Sequence, residues 1–128
     1  MAAKSTYLNN AAISAALRNV ALQVAAQFIS LHTADPGLTG ASEVAGNAYA
    51  RVATPGFIAP TAGVTSNGNV VTFPAPTPGN WGTVTYAGVW DALTVGNFLY
   101  KIPLTFSVAT SVGVPVEFEI AALSVTET

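Results

Sequence analysis

The apolar positions divide the chain into a helical start followed by a long run of short strands. From Ser5 to about Asn19, Leu8, Ala12, Ala15 or Ala16, and the pair Ile13 and Leu17, recur at three- and four-residue intervals. This spacing predicts an N-terminal helix over about 5–19, capped by Ser5 or Thr6. Its many alanines keep it slim, so it is expected to lie close against a sheet. From about Ala21 the period changes, and Val24, Phe28, Ile29 and Leu31 place a first strand over roughly Gln23–Thr33.

Beyond that strand, turn chemistry punctuates the pattern. Ala34–Asp35–Pro36–Gly37 is expected to turn, since an Asp side chain can bond backbone two residues on, Pro presets φ, and Gly supplies a positive φ. The stretch to Ala48 is rich in Gly, Ser and Thr and is expected to be a surface loop. Tyr49–Ala53 and Gly56–Ala59 are short strand candidates broken by Pro55, and Asn67–Gly68 predicts a hairpin of Ala62–Ser66 with Asn69–Phe73. Pro74, Pro76, Pro78 and Gly79 then form a stiff connection outside any central strand.

The three clearest strands follow it. Val84, Tyr86, Gly88 and Trp90 alternate along Gly82–Asp91; Phe98, Tyr100, Ile102, Leu104 and Phe106 along Asn97–Phe106. In the last, Val114, Val116, Phe118 and Ile120 alternate with Glu117 and Glu119, and the phase breaks at Ala121–Ala122, which predicts a bulge. The fold class expected is mainly β: an antiparallel β-sandwich or jelly roll with a short N-terminal helix, one domain over 1–128.

Charge changes the picture most. Only four cations and six carboxylates stand in 128 residues, where about 32 charges would be ordinary. So neutral a surface is poorly defended against association, and coverage by partners is the expected reason. Four scattered cations and a net charge of −2 argue against a nucleic-acid partner. The most apolar stretch, Ala11 to Leu31, is broken by Arg18, Asn19, Gln23 and Gln27, so no membrane partner is expected. The start, with Lys4, Tyr7 and Asn9–Asn10, does not read as a signal peptide. With no Cys, thiolate metal sites and thiol chemistry are excluded.

Candidate chemistry is thin. His32 is the single histidine; with Asp35 it supplies two metal ligands where three or four are needed, and it is expected to be structural. Ser30, Ser42 and Asp91 complete a Ser-His-Asp count with His32, but no nucleophile-elbow context surrounds them. Glu117 and Glu119 are neighbouring carboxylates, the pairing used by glycosidases, yet they fit the outer face of a strand seeking Lys101 or Arg51. Tyr86, Trp90 and Tyr100 fit a core face, which leaves Trp81 as the exposed aromatic expected of a sugar platform. Phosphate-binding glycine motifs are missing. No catalytic, cofactor-binding or metal-ligating residue is therefore assigned, and no enzyme activity or cofactor is expected. Glu43 and Arg51, which flank the loop, are expected to pair across its base.

Leu31-His32-Thr33-Ala34-Asp35-Pro36-Gly37-Leu38-Thr39-Gly40-Ala41-Ser42-Glu43, then Tyr49-Ala50-Arg51, Val71-Thr72-Phe73-Pro74 and Trp81-Gly82-Thr83-Val84-Thr85-Tyr86-Ala87-Gly88-Val89-Trp90-Asp91-Ala92, occur in that order. This series resembles a family of small tailed-phage structural proteins, often labelled tail-fibre proteins, from about Tyr7 to Val125. The chain departs from the family pattern at Ser42 and at Gly46-Asn47-Ala48. The resemblance implies a β-sandwich like those of capsid cement proteins and of the distal knobs of tail spikes or fibres, without catalytic residues.

The function expected from these lines is a virion structural protein made in the host bacterial cytoplasm. A cement or decoration protein on the outer capsid, clamping neighbouring major capsid subunits as a homotrimer, is the first expectation. A receptor-binding fibre tip and a carbohydrate-binding module are the alternatives. Without heptads or a shaft-like repeat ahead of the helix, cement is expected over a fibre tip.

Overall fold

The computed structural model describes residues 2–127. One helix and nine strands follow each other: β1 (Ala3–Lys4), α1 (Thr6–Arg18), β2 (Gln27–His32), β3 (Val52–Thr54), β4 (Val64–Ser66), β5 (Val71–Phe73), β6 (Thr83–Trp90), β7 (Phe98–Ala109), β8 (Val116–Phe118) and β9 (Ser124–Thr126). The strands form a five-stranded sheet, β1-β7-β6-β2-β3, and two ribbons, β4-β9 and β5-β8, with every pair antiparallel. The mainly β, antiparallel class with one short N-terminal helix is thus the observed one. Sheet and ribbons bury one apolar cluster, including Ile29, Leu31, Val89, Phe73, Phe118 and Leu123.

The helix begins and ends for local reasons. Ser5 Oγ accepts from Leu8 N at 3.0 Å, and Asn19 closes the last turn at φ 54°. Its seating differs from expectation. Leu8 is its one buried residue, and Ile13 and Leu17 stand 58% and 80% exposed. Only the first turn is anchored, by Leu8 and by Ser5 N donating to the Leu99 carbonyl at 2.8 Å. The chain then runs outside any element until Gln27, so the first strand starts four residues later than the sequence predicts. Gln23 and the flanking alanines carry too little apolar area to hold an extended segment against the sheet.

Three further expectations are corrected. The Asn67–Gly68 hairpin does not form: β4 pairs with β9 and β5 with β8. Asn67 is fully buried; its Oδ1 accepts from Leu123 N, and its Nδ2 donates to the carbonyls of Asn69 and Glu119. Those bonds divert the chain between two ribbons, where a tight turn would have closed one. The break at Ala121–Ala122 is likewise a turn, with Ala121 at φ 68°, that carries the chain from β8 to β9.

The alternation in β6 and β7 is also interrupted. Register shifts between Val84 and Tyr86 and between Val89 and Trp90 put Leu99 and Ile102 together in the core, and turn Phe98 to Trp90 and His32. In the first shift a single β6 residue, Thr85, spans Leu104 to Ser107 on β7, and Phe106 within that stretch is 82% exposed rather than inward.

Candidate functional site

The densest polar construction lies on the face of the sheet that turns away from the apolar cluster. Alternation along β2 sends Ile29 and Leu31 into the core and Ser30 and His32 to the opposite side. Gly88 lies in register with Ser30, and any Cβ there would fall 2.5 Å from Ser30 Oγ and 2.8 Å from His32 Nε2. Glycine is what lets the two side chains lie across β6.

Trp90 Nε1 donates to Ser30 Oγ at 3.0 Å; Ser30 Oγ lies 2.7 Å from His32 Nε2; His32 Nδ1 lies 2.7 Å from the Ala41 carbonyl. A carbonyl only accepts, so Nδ1 carries the proton of the neutral ring and Nε2 accepts from Ser30. Burial lowers the His32 pKa more than its bond to Ala41 and the nearby Glu43 raise it. The Ser-His contact is therefore a relay of satisfied bonds that fastens the loop at Ala41 to β2. Ser30 and His32 are both fully buried, and Ala41, not a carboxylate, orients the ring.

Above this relay sits the pair expected from the sequence. Arg51 Nε and Nη2 each donate to a Glu43 oxygen at 2.9 Å, while Nη1 donates to the carbonyls of Ala92 at 3.0 Å and Val95 at 2.8 Å. The guanidinium carbon lies 3.6 Å from the Trp90 ring centre. Tyr49 Oη donates to Glu43 Oε2 at 2.8 Å and accepts from Leu31 N at 3.0 Å. Burial raises the Glu43 pKa, but the bonds from Arg51 and Tyr49 outweigh it and hold the carboxyl below its ordinary value. Burial first, and then its carboxylate neighbour, push the Tyr49 phenol up.

The clamp joins three stretches distant in sequence and fixes the β6–β7 loop. Asp91 adds to it, accepting from the Asn97 side chain at 2.9 Å and from its backbone N–H. At the loop tip Val95 takes φ 57°, a left-handed conformation unfavourable for a β-branched residue, and is 84% exposed; Leu93 beside it is exposed too. What this arrangement does is hold an apolar loop tip out to solvent in a set conformation. The sequence reveals the Glu43–Arg51 pair, because charges are so few; the two carbonyls that Arg51 grips lie 41 and 44 residues on and carry no sequence signal.

Other candidates fall elsewhere. Asp35 does not join His32: its carboxylate takes Lys101 Nζ at 2.8 Å and its own turn's Gly37 N at 2.8 Å, and Lys101 leads the effects that hold its pKa down. Glu117 and Glu119 meet neither Lys101 nor Arg51; Glu117 faces Thr72 Oγ1 at 3.3 Å across the ribbon. Trp81, expected exposed, is buried at 6%, its Nε1 donating to the Asn47 carbonyl and its ring edge-on to Tyr49 and Phe73. The loop returning at Asn47 covers it. Trp90 is buried, but with Ser30 and Phe98 on the far side of the sheet rather than in the apolar cluster, and Tyr86 and Tyr100 are only half-buried. Ser42 takes φ 61°, with its carbonyl accepting from Thr33 N. Among the described residues no group of three His, Asp or Glu is placed to hold a metal ion. No helix among them is long and apolar enough to cross a membrane.

An open groove of about 720 Å³, which sequence reasoning did not foresee, is lined by Leu8, Val24, Phe57, Val89, Leu99 and Val125 among others. Its walls come from six separate parts of the chain, so no local pattern marks it.

Comparison with curated proteins returned no match. A family model does match nearly the whole chain, residues 3–126, and by it the chain belongs to the family described as Podophage GP4 fiber I protein gp80, a family of tailed-phage structural fibre proteins.

Proposed function

We propose that this protein is a building block of a virion fibre, working through surface contacts with its own copies and with neighbouring virion proteins rather than through chemistry. The observation that carries this is the character of its surface. Fifteen large apolar side chains are exposed among the described residues, and two of them, Leu93 and Val95, stand on a loop that the most elaborate polar network in the molecule holds in place. Such exposure in a chain with so few charges fits surfaces covered in an assembly. The fibre family supports the choice of a fibre over the shell.

Capsid cement remains the second reading, favoured by the same neutral surface. In that role, as a trimer on major capsid subunits, it would stabilise the shell by binding the assembled form. Gold labelling of intact particles, with copy number from quantitative mass spectrometry, separates the two. A few copies at the tail are expected; hundreds spread over the shell would overturn the fibre assignment in favour of cement. Absence from purified particles would overturn both.

A further inference from the structure

All ten charges of the chain can be placed. Lys4 pairs with Glu127 at 3.1 Å, Arg51 with Glu43 at 2.9 Å and Lys101 with Asp35 at 2.8 Å, and Asp91 is taken up by Asn97. Among the described residues this leaves one cation, Arg18, without a carboxylate, and two carboxylates, Glu117 and Glu119, without a cation.

Each set of unmatched charges lies beside unpartnered apolar side chains. Arg18 ends α1 next to Leu17, with Ile13 one turn back on the same stripe, and all three are exposed. The segment after the helix folds back over a different part of it, where Val20, Ala21 and Leu22 form a shallow cleft with Tyr7, Asn10 and Ser14. The Ile13–Leu17 stripe is left open. On the β5–β8 ribbon, Val71, Phe73, Val116 and Phe118 point into the core, so Thr72 and Glu117 point outward. Continuing the same register brings Val70, 43% exposed, opposite Glu119.

We infer that the open stripe of α1 in one copy docks on the outward face of the β5–β8 ribbon of a second copy, with Arg18 meeting Glu117 and Glu119. Opposite charge chooses the occupant. Within one chain these groups do not meet, and a second copy supplies each face with the opposite charge and with apolar side chains to cover its own. The two patches are different, so each copy can use both at once, which builds a closed ring or a running stack. This deepens the building-block reading and rests on it. Particle labelling tests that reading and solution association tests the contact, so the two can fail separately.

Sedimentation velocity of the full chain at low salt, across the micromolar range, reads the contact directly. The wild type is expected to self-associate. Arg18→Glu alone, or Glu117→Lys with Glu119→Lys, should weaken association about tenfold or more by setting like charges against each other. All three substitutions together should restore it. These positions are exposed, and thermal melts verify that each variant is folded. Because the chain has no cysteine, Leu17→Cys with Val70→Cys gives a second readout: oxidation should yield covalent oligomers. A monomeric wild type, association indifferent to charge reversal, failure of the triple variant to recover, or cysteines that do not cross-link would overturn the inference.

Discussion

Arg51 sits over the face of Trp90, its guanidinium carbon 3.6 Å from the ring centre, while its fork of donors serves two other parts of the chain. One edge meets Glu43 bidentately and the remaining nitrogen reaches the β6–β7 loop. Planarity is the reason a single side chain can do all of this, and a lysine would offer charge without the fork.

Removing Arg51 leaves the half-buried Glu43 carboxylate with the Tyr49 hydroxyl in place of its cation, and takes the Arg51 donor from the Ala92 and Val95 carbonyls. Arg51→Ala should cost about 3 kcal/mol or more, whereas Arg51→Met combined with Glu43→Gln should cost less than the single loss. Arg51→Lys should fall between and speed amide exchange across 92–97. A double-mutant cycle by urea unfolding that returned additive costs would sink the coupling.

His32 should make stability fall with acid before any carboxylate does. Its folded pKa lies below the ordinary 6.5, so the unfolded chain binds more protons. The contribution is whole above that value and is lost progressively as pH drops beneath it. Glu43 and Asp35 are also held low, but their contributions fade only beneath about pH 4.5. Thermal melts from pH 8 to 5 should show a falling midpoint, and His32→Gln should flatten that slope while lowering the whole curve.

Two glycines should respond very differently to alanine. At Gly88 a methyl group would meet Ser30 Oγ, Phe98 and His32 Nε2, all within 2.8 Å, so Gly88→Ala should cost about 3 kcal/mol and break the Ser30–His32 contact. Gly37 has nothing within 4 Å of that position but sits at φ 63°, so Gly37→Ala should cost only about 1 kcal/mol of backbone strain. Equal losses in denaturant melts would refute the packing argument.

Asn67 is fully buried with both ends of its amide in use, accepting from Leu123 and donating to Asn69 and Glu119. Asn67→Asp keeps the acceptor and sets a carboxylate against two carbonyls, a buried mismatch worth about 3 kcal/mol at neutral pH. Lowering pH towards 4 should recover part of the loss as the new carboxyl protonates. A variant as stable as the wild type would show that the β4–β5 and β8–β9 connections do not depend on this amide.

Short-range chemistry made several parts legible in the sequence. Ser5 and the three- and four-residue spacing specify α1, because capping and helical period act within a few residues. Asp35 and Gly37 specify their turn for the same reason, and scarcity of charge singles out Glu43 and Arg51. What tertiary structure alone decided is where strands pair and which side chains stay uncovered. Asn67–Gly68 carries a strong local hairpin signal, yet bonds from Asn67 to Glu119 and Leu123, more than fifty residues away, direct the flanking strands to different partners. Alternation marks Phe106 as inward, but the β6–β7 register shift carries it out. A strand's period fixes the two sides of a strand; which side meets the core depends on a partner whose register is set elsewhere in the chain.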